Sequence, residues 1–239
     1  LVKDMGLSIM RIRIPYDETR WEAIAADCAA IYDKYGVKIL ATPWTMPVRM
    51  KTPEQAEAKK DGVTSSLKPE SYKDYAQYLE RFAAFMKGHG APLEAISVQN
   101  EPDYAEDWTY WSTDDLTSFI AQYGAAVVEG TGAKLMSPES FQYRKDIYNS
   151  ILNNANAFAN IGVFGTHFYG TTRSNMDFPA LESCGKGIWM TEVYVPNSSS
   201  DADTYPEALQ VSENIHNGLV VGNLNAYVWW YIRRQYGFM

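Results

Sequence analysis

Two glutamates follow short apolar segments of this chain. Glu101 stands in Asn100-Glu101-Pro102 after AISVQ, and Glu192 stands in Thr191-Glu192-Val193 after GIWM. Splitting a glycosidic bond requires at least two facing carboxyl groups, one protonated to donate to the leaving oxygen and one ionised to attack the anomeric carbon. Crowding two carboxylates raises the pKa of one of them, which provides this division of roles. A single glutamate at the end of a strand is more often a loop carboxylate in a salt bridge. The hypothesis that Glu101 and Glu192 are catalytic therefore depends on their occurring as a pair.

Aromatic rings cluster in sequence near the same segment ends. Aromatic residues make up 14% of the chain, with 17 Tyr and 7 Trp. Any one of them alone is more often core packing, but their convergence favours a sugar-binding cleft. His167 has no neighbouring His or Cys at ligand spacing, so we expect no metal and no cofactor. The rings concerned are Trp44, Trp108, Trp111, His167, Tyr169, Tyr194, Trp229, Trp230 and Tyr231.

Seven short apolar or β-branched segments alternate with helical patterns. Most of these segments lack strict alternation of apolar and polar residues, as expected for parallel strands buried on both faces. Strand–helix alternation at this spacing predicts parallel βα units, and in a β/α barrel the chemistry gathers at the C-terminal ends of the strands. The predicted strands span 10–14, 38–44, 95–102, 134–140, 163–170, 187–194 and 226–232.

Three helices are indicated most clearly between these strands. Apolar residues at i, i+3, i+4 and i+7 predict a helix from about 70 to 87. Ser112 followed by Asp115 predicts a capping box at the start of the next helix. A third helix is expected to begin near Pro206, because proline is favoured in a first helical turn.

The seven strands are one fewer than a (β/α)₈ TIM barrel contains. Residues 1–6 predict the tail of a helix that ends at a glycine cap, so we expect barrel strand one upstream and the last helix downstream. We therefore interpret residues 1–239 as one catalytic barrel domain of the α/β class, a fragment covering barrel strands two to eight. Glu101 then ends strand four and Glu192 ends strand seven, across the barrel mouth from each other. The long polar loop 53–69 is expected to rim the site.

Composition excludes several classes of function. The formal net charge of −8 disfavours nucleic acid and anionic membrane surfaces as partners. The sequence has no apolar run of about 18 residues that could span a membrane, and no signal peptide is visible in it. Two cysteines, Cys28 and Cys184, are too few for a disulfide framework, and we expect both to be buried free thiols.

At AISVQNEPDY and WMTEVYVPNS the sequence resembles glycoside hydrolase family 30, and VWWYIRRQYG is similar to the bacterial glucuronoxylanases of its subfamily 8. SPESFQY and HFYGT also match, so the resemblance covers nearly the whole chain. It implies a retaining endo-β-1,4-xylanase that cleaves glucuronoxylan next to a xylose carrying a 4-O-methylglucuronate branch. It also implies a secreted protein, which we expect to be a monomer. The β-sandwich side domain that members of the family carry is absent from this chain.

The resemblance also implies roles for individual residues. Glu101 would be the acid/base, Glu192 the nucleophile, and Asn100 the group that holds the sugar 2-hydroxyl. The substrate-binding residues would include Trp108 and, lining the −1 subsite of the attacked sugar, Trp44, His167, Tyr169 and Trp230. The positions matching those that hold the glucuronate branch at −2 are Tyr194, Asn197, Tyr231, Arg234 and Tyr236.

Two alternatives remain at this stage. One is a different family 30 activity, such as a β-1,6-glucanase or an exo-xylosidase, and the RRQYG segment argues against it because those neutral substrates need no arginine at −2. The other is a carbohydrate-binding protein without activity, against which the intact Glu101 and Glu192 argue.

Overall fold

The computed structural model describes residues 2–104, 108–194 and 205–231. Within them, seven parallel strands form one sheet whose order follows the chain. This is the predicted β/α barrel architecture, here as a partial barrel of seven parallel strands. The strands are β1 Ile9–Ile14, β2 Lys38–Pro43, β3 Leu93–Ser97, β4 Lys134–Ser140, β5 Val163–His167, β6 Gly187–Glu192 and β7 Ala226–Tyr227.

Helices connect the strands, as the βα pattern predicted. The three helices indicated by the sequence span Tyr72–Gly88, Thr113–Val128 and Tyr205–Val220. Asp115 N–H donates to Ser112 Oγ over 3.0 Å, which confirms the cap predicted at Ser112. The helices are α1 Val2–Met5, α2 Trp21–Tyr35, α3 Tyr72–Gly88, α4 Thr113–Val128, α5 Lys145–Asn153, α6 Ala155–Asn160, α7 Arg173–Met176, α8 Pro179–Glu182 and α9 Tyr205–Val220. Short 3₁₀ turns lie at Glu18–Arg20, Val48–Met50 and Pro69–Ser71.

The core lies between the sheet and the helices. β5 is buried at every residue, and β2 and β4 at every residue except the first, which explains why these segments show no alternation. The apolar face predicted for α3 is buried, with Tyr75, Leu79 and Phe82 fully enclosed. Trp21 of α2 packs edge-on against Phe82, with ring centroids 5.1 Å apart.

Several strands end earlier than the sequence predicted. β3 ends at Ser97, not at residue 102. The next residues leave the regular ladder because their N–H groups bond to two different neighbours: Asn100 N–H donates to the Pro43 carbonyl over 2.8 Å and Glu101 N–H to the Glu139 carbonyl over 3.2 Å. The segment is therefore held between β2 and β4 without being a strand. β5, β6 and β7 likewise stop at His167, Glu192 and Tyr227.

The loop after β2 contains two short antiparallel pairings that the sequence analysis did not predict. Lys51–Thr52 pairs antiparallel with Ser66–Leu67, and Lys59–Lys60 pairs antiparallel with Val63–Thr64. These two small hairpins give the loop a defined shape beside the ends of the strands.

Cys28 is a buried free thiol, as expected, whereas Cys184 is free but only half-buried, so that expectation was wrong. Cys184 follows the short helix α8 and packs against the core with part of its surface exposed. Among the described residues, no helix combines the length and the hydropathy that crossing a bilayer requires.

Candidate active site

The two glutamates singled out in the sequence lie together at the C-terminal end of the sheet. Glu192 is the last residue of β6, and Glu101 lies four residues beyond β3. Glu101 is only 3% exposed and Glu192 only 5%. One carboxylate oxygen of each and a ring nitrogen of His167 lie within 4.8 Å of one another. Parallel strands bring these positions to the same barrel mouth although the glutamates are far apart in sequence.

Glu101 accepts hydrogen bonds from two ring nitrogens. His167 Nδ1 lies 2.8 Å from Glu101 Oε1, and Trp108 Nε1 donates to Glu101 Oε2. The φ angle of Glu101 is 44°, in the left-handed region that non-glycine residues seldom adopt. Such strain persists only where the surroundings hold the residue firmly, and it turns this carboxyl group towards His167.

Glu192 is held on both oxygens. Arg11 Nη1 donates to Glu192 Oε2 over 2.6 Å, and the Tyr169 hydroxyl donates to Glu192 Oε1 over 3.0 Å. Burial raises the pKa of Glu192, and the nearby Glu101 adds to this, whereas the charges of His167 and Arg11 lower it. Hydrogen bonds to both oxygens favour the ionised form of this carboxyl group.

Arg11 and Glu139 belong to the same buried cluster, and the sequence analysis did not single them out. The Arg11 side chain is 5% exposed; its Nη2 donates to Asn100 Oδ1 over 2.6 Å and lies 3.3 Å from Glu139 Oε1. Burial opposes the charge of Glu139, but Arg11 and then His167 outweigh it and hold the pKa of Glu139 at about 2. A signal was present, because Arg and Glu inside buried parallel strands must have partners of opposite charge.

His167 carries positive charge in this setting. Its ring is fully buried, which works to lower its pKa, but Glu192, Glu101 and Glu139 together raise the pKa to about 9. Its Nε2 lies 3.7 Å from Glu139 Oε1, so the ring stands between Glu139 and Glu101.

The charges of this cluster nearly cancel. Three carboxyl groups, those of Glu101, Glu139 and Glu192, face two cations, Arg11 and His167. One additional proton makes the cluster neutral, and Glu139, with a pKa of about 2, does not take it. Glu101 and Glu192 are the two carboxyl groups that remain, and such a pair can supply one acid and one ionised carboxylate.

Glu101, His167 and Glu192 are also the side chains that could hold a metal ion by position. Arg11, 2.6 Å from Glu192, already supplies the positive charge that an ion would bring. The donor set therefore fits a proton-transferring pair better than a metal centre.

Aromatic side chains form the walls above this cluster. The Trp44 ring lies 6.1 Å from that of Trp108 and 5.9 Å from that of Trp230. Tyr169 packs against Tyr194 at 5.6 Å on the opposite side. Each of these was expected in the cleft from the sequence.

Trp111, which the sequence also grouped with the rim, belongs instead to the core. It is 4% exposed and packs against Tyr72, Tyr75 and Phe119, facing the helices instead of the barrel mouth.

A cleft of about 500 Å³ opens beside Trp44 and Trp108. Arg13 and Tyr16 also line it, as do residues 56–59, 61 and 62 of the loop after β2. The polar loop therefore shares a cleft with Trp108, the residue that donates to Glu101.

Only some of the residues expected to hold the glucuronate branch are among the described residues. Tyr231 is 40% exposed, and its ring lies 4.4 Å from that of Trp230. Asn197, Arg234 and Tyr236 lie outside the described residues.

Comparison with known proteins identifies relatives of this chain. Residues 3–129 match the glycosyl hydrolase family 30 TIM-barrel domain. Glucuronoxylanase XynC of Bacillus subtilis (strain 168) is 43% identical over 238 residues, which are 98% of this chain and 54% of that protein. The chain therefore spans about half the length of the curated relatives it matches.

Two crystal structures share the fold closely. A family 30 endoxylanase from Clostridium papyrosolvens C71 superposes with a TM-score of 0.85 at 36% identity, covering 99% of this chain and 61% of that one. The subfamily 8 xylanase Xyn30A from Clostridium acetobutylicum gives 0.85 at 33% identity, with 99% and 60% covered. Matched motifs, parallel sheet and paired carboxyl groups lead to the same conclusion: this chain belongs to glycoside hydrolase family 30.

Proposed function

We propose that this chain carries the catalytic centre of a retaining endo-β-1,4-xylanase that cleaves glucuronoxylan beside a 4-O-methylglucuronate branch. The observation that carries the proposal is the close approach of Glu101 and Glu192, with carboxylate oxygens within 4.8 Å. Retaining glycosidases have carboxyl groups about 5–5.5 Å apart, and inverting ones about 6.5–9.5 Å apart to admit a water. The short separation supports direct attack by a carboxylate.

In the first step, an oxygen of Glu192 attacks the anomeric carbon and the glycosidic C–O bond breaks. Glu101 gives its proton to the leaving oxygen, so a neutral sugar departs and a glycosyl ester remains on Glu192. Glu101, now ionised, takes a proton from a water molecule that attacks the same carbon, and Glu192 is released. Two inversions at one carbon give overall retention.

The surrounding residues support this division of roles. Arg11 and Tyr169 donate to Glu192 and favour its ionised form. Asn100 is fully buried, and its Nδ2 has no partner among the described residues, so this amide can donate to a sugar hydroxyl such as the 2-hydroxyl. The same Asn100 is fixed through its Oδ1 by Arg11.

Support for the branched substrate comes from relatives and from sequence. The relative at 43% identity is a glucuronoxylanase, and the two solved structures are endoxylanases. Arg234 and Tyr236, with Tyr194, Asn197 and Tyr231, stand where the family motif holds the branch. Arginine suits this task because it can bind a carboxylate through two parallel N–H bonds. Since the substrate is a large polysaccharide, the proposal places the protein outside the cell.

The test is hydrolysis of glucuronoxylan, unbranched xylan and β-1,6-glucan, with product analysis and with Glu192→Gln as the inactive control. We expect reducing ends from glucuronoxylan alone, in products that keep the branch, and a β-anomer as the first product seen by NMR. An α-anomer first would contradict the retaining mechanism, and equal rates on branched and unbranched xylan would contradict the branch requirement.

A further inference from the structure

A buried lysine lies behind the wall of the cleft. Lys51 follows the 3₁₀ turn after β2 and is 0% exposed. Its ammonium group donates to Thr45 Oγ1 at 3.0 Å, to the Ala56 carbonyl at 3.3 Å and to the Glu57 carbonyl at 3.1 Å. The three N–H donors of an ammonium group thus meet three neutral acceptors. None of the described carboxylates forms an ion pair with Lys51.

This arrangement is unusual because burying a cation without a counter-ion is unfavourable. Burial lowers the pKa of Lys51 to about 8, and only the charge of Glu57 opposes the shift. A role in filling space alone would be served better by an apolar side chain. The charge is kept where three separate pieces of chain must be held together.

Those three pieces are Thr45, the 56–57 segment and, through the Thr45 hydroxyl, Thr109; the first two line the cleft. Thr45 follows Trp44, while Ala56 and Glu57 belong to the loop that lines the cleft. The Thr45 hydroxyl also lies 2.8 Å from the Thr109 hydroxyl, next to Trp108. Lys51 therefore contacts Thr45, the residue after Trp44, and through the Thr45 hydroxyl it is linked to Thr109, the residue after Trp108.

The same wall contacts the acid. Trp108 Nε1 donates to Glu101 Oε2, and Trp108 also lines the cleft. In the proposed mechanism Glu101 protonates the leaving oxygen, so the departing sugar lies on the side of Glu101. The cleft beside Trp108 is the space that this sugar can occupy.

We propose that Lys51 is a positioning residue for the leaving-group side of the cleft. By tying Thr45, the 56–57 segment and Thr109 together, it holds Trp108 against Glu101 and fixes the wall that receives the departing xylosyl unit. This inference rests on the proposed function and extends it to residues that touch neither the attacked sugar nor its branch.

The experiment compares Lys51→Met with Lys68→Met in the full-length protein. Methionine is unbranched like lysine but has no donor. Lys68 is a matched control because it lies on the same loop but bonds outward, to Glu54 and to the Arg49 carbonyl. Each variant is assayed on two substrates that carry the same branched sugar on the attacked side. In glucuronoxylan the leaving group is a sugar, which needs a proton and occupies the cleft beside Trp108. In the aryl glycoside the leaving group is an acidic phenol, which needs neither the proton nor that part of the cleft.

Lys51→Met should lower kcat/KM on glucuronoxylan by roughly 10- to 100-fold, the effect of misplacing reacting groups by about 1 Å. The rate on the aryl glycoside should stay close to that of the unaltered protein. The two rates should diverge because Trp108 no longer holds Glu101 in place for proton donation to the sugar leaving group. Lys68→Met should change the rate on neither substrate.

Thr45→Val is the second variant, for use if Lys51→Met does not fold in a thermal melt. It removes the acceptor that links Lys51 with Thr109. Like Lys51→Met, it should lower the ratio of the rate on glucuronoxylan to the rate on the aryl glycoside. Parallel losses on both substrates, or no loss on either, would overturn the positioning role. An unaltered protein inactive on both substrates would refute the proposed function itself, before any variant is compared.

Discussion

Arg11→Met removes the cation that contacts Glu192 and Glu139 in the charge cluster. Arg11 lies 2.6 Å from Glu192 and 3.3 Å from Glu139, and its side chain is 5% exposed. An arginine this close lowers the pKa of a carboxyl group by about 1–3 units. Its loss should therefore raise the pKa of Glu192 further, and the proposed nucleophile must be ionised to attack.

The assay is kcat/KM on glucuronoxylan as a function of pH. The acidic limb of the profile should move up by about 1–3 pH units in Arg11→Met. Removing one partner of a buried ion pair also destabilises a protein by about 3–5 kcal/mol, so rates must be taken below the melting transition of the variant. Arg11→Lys is the matched control: it keeps a charge near Glu192 but loses the planar fork that also bonds Asn100.

For Arg11→Lys we expect an acidic limb near that of the unaltered protein, with a lower plateau, because Asn100 loses its partner. A folded Arg11→Met variant whose rate falls by one factor at every pH would refute the reasoning. In that case Arg11 would support the fold without setting the ionisation of Glu192.

Four further predictions address the other parts of the site. Glu192→Gln should abolish turnover. Glu101→Ala should lose activity on xylan, retain activity on aryl glycosides and be partly rescued by azide. Equal losses on both substrate types without an azide effect would contradict Glu101 as the acid. The pKa of Glu139 is lowered to about 2, so its contribution to stability should be lost as pH falls from about 4.5 towards 2, and Glu139→Gln should flatten the acid side of a plot of Tm against pH. The pKa of His167 is raised to about 9, so its contribution should be complete below about 6.5 and lost as pH rises through 9; an unchanged Tm across that interval would contradict this. Arg234→Ala should lower kcat/KM on glucuronoxylan by roughly 10- to 150-fold, the loss of a charged hydrogen bond, and leave linear xylohexaose nearly unaffected, whereas parallel losses would assign Arg234 to the fold.

The helices and strands could be predicted because their signals are local. The apolar spacing of α3 and the cap at Ser112 each depend on a few neighbouring residues, and both are present in the structure. Strand ends were predicted less well because they depend on contacts between segments that are distant in sequence. Whether residues 98–101 continue β3 depends on bonds to β2 and β4, which are distant in sequence.

Aromatic residues show a similar division. The sequence could place Trp108 and Trp111 near Glu101 but could not distinguish a cleft wall from a core side chain. The two are three residues apart, and only the packing of α3 and α4 turns Trp111 inward against Tyr75 and Phe119.

By itself the sequence determined the barrel architecture and the two glutamates at its mouth, because periodicity and strand-end position are properties of short segments. Only the tertiary structure decided how those glutamates are charged. Arg11, Glu139 and His167 come from three different strands and meet with their side chains buried, where each charge acts strongly on the others. Such interactions depend on distances across the barrel, and no spacing along the chain encodes them.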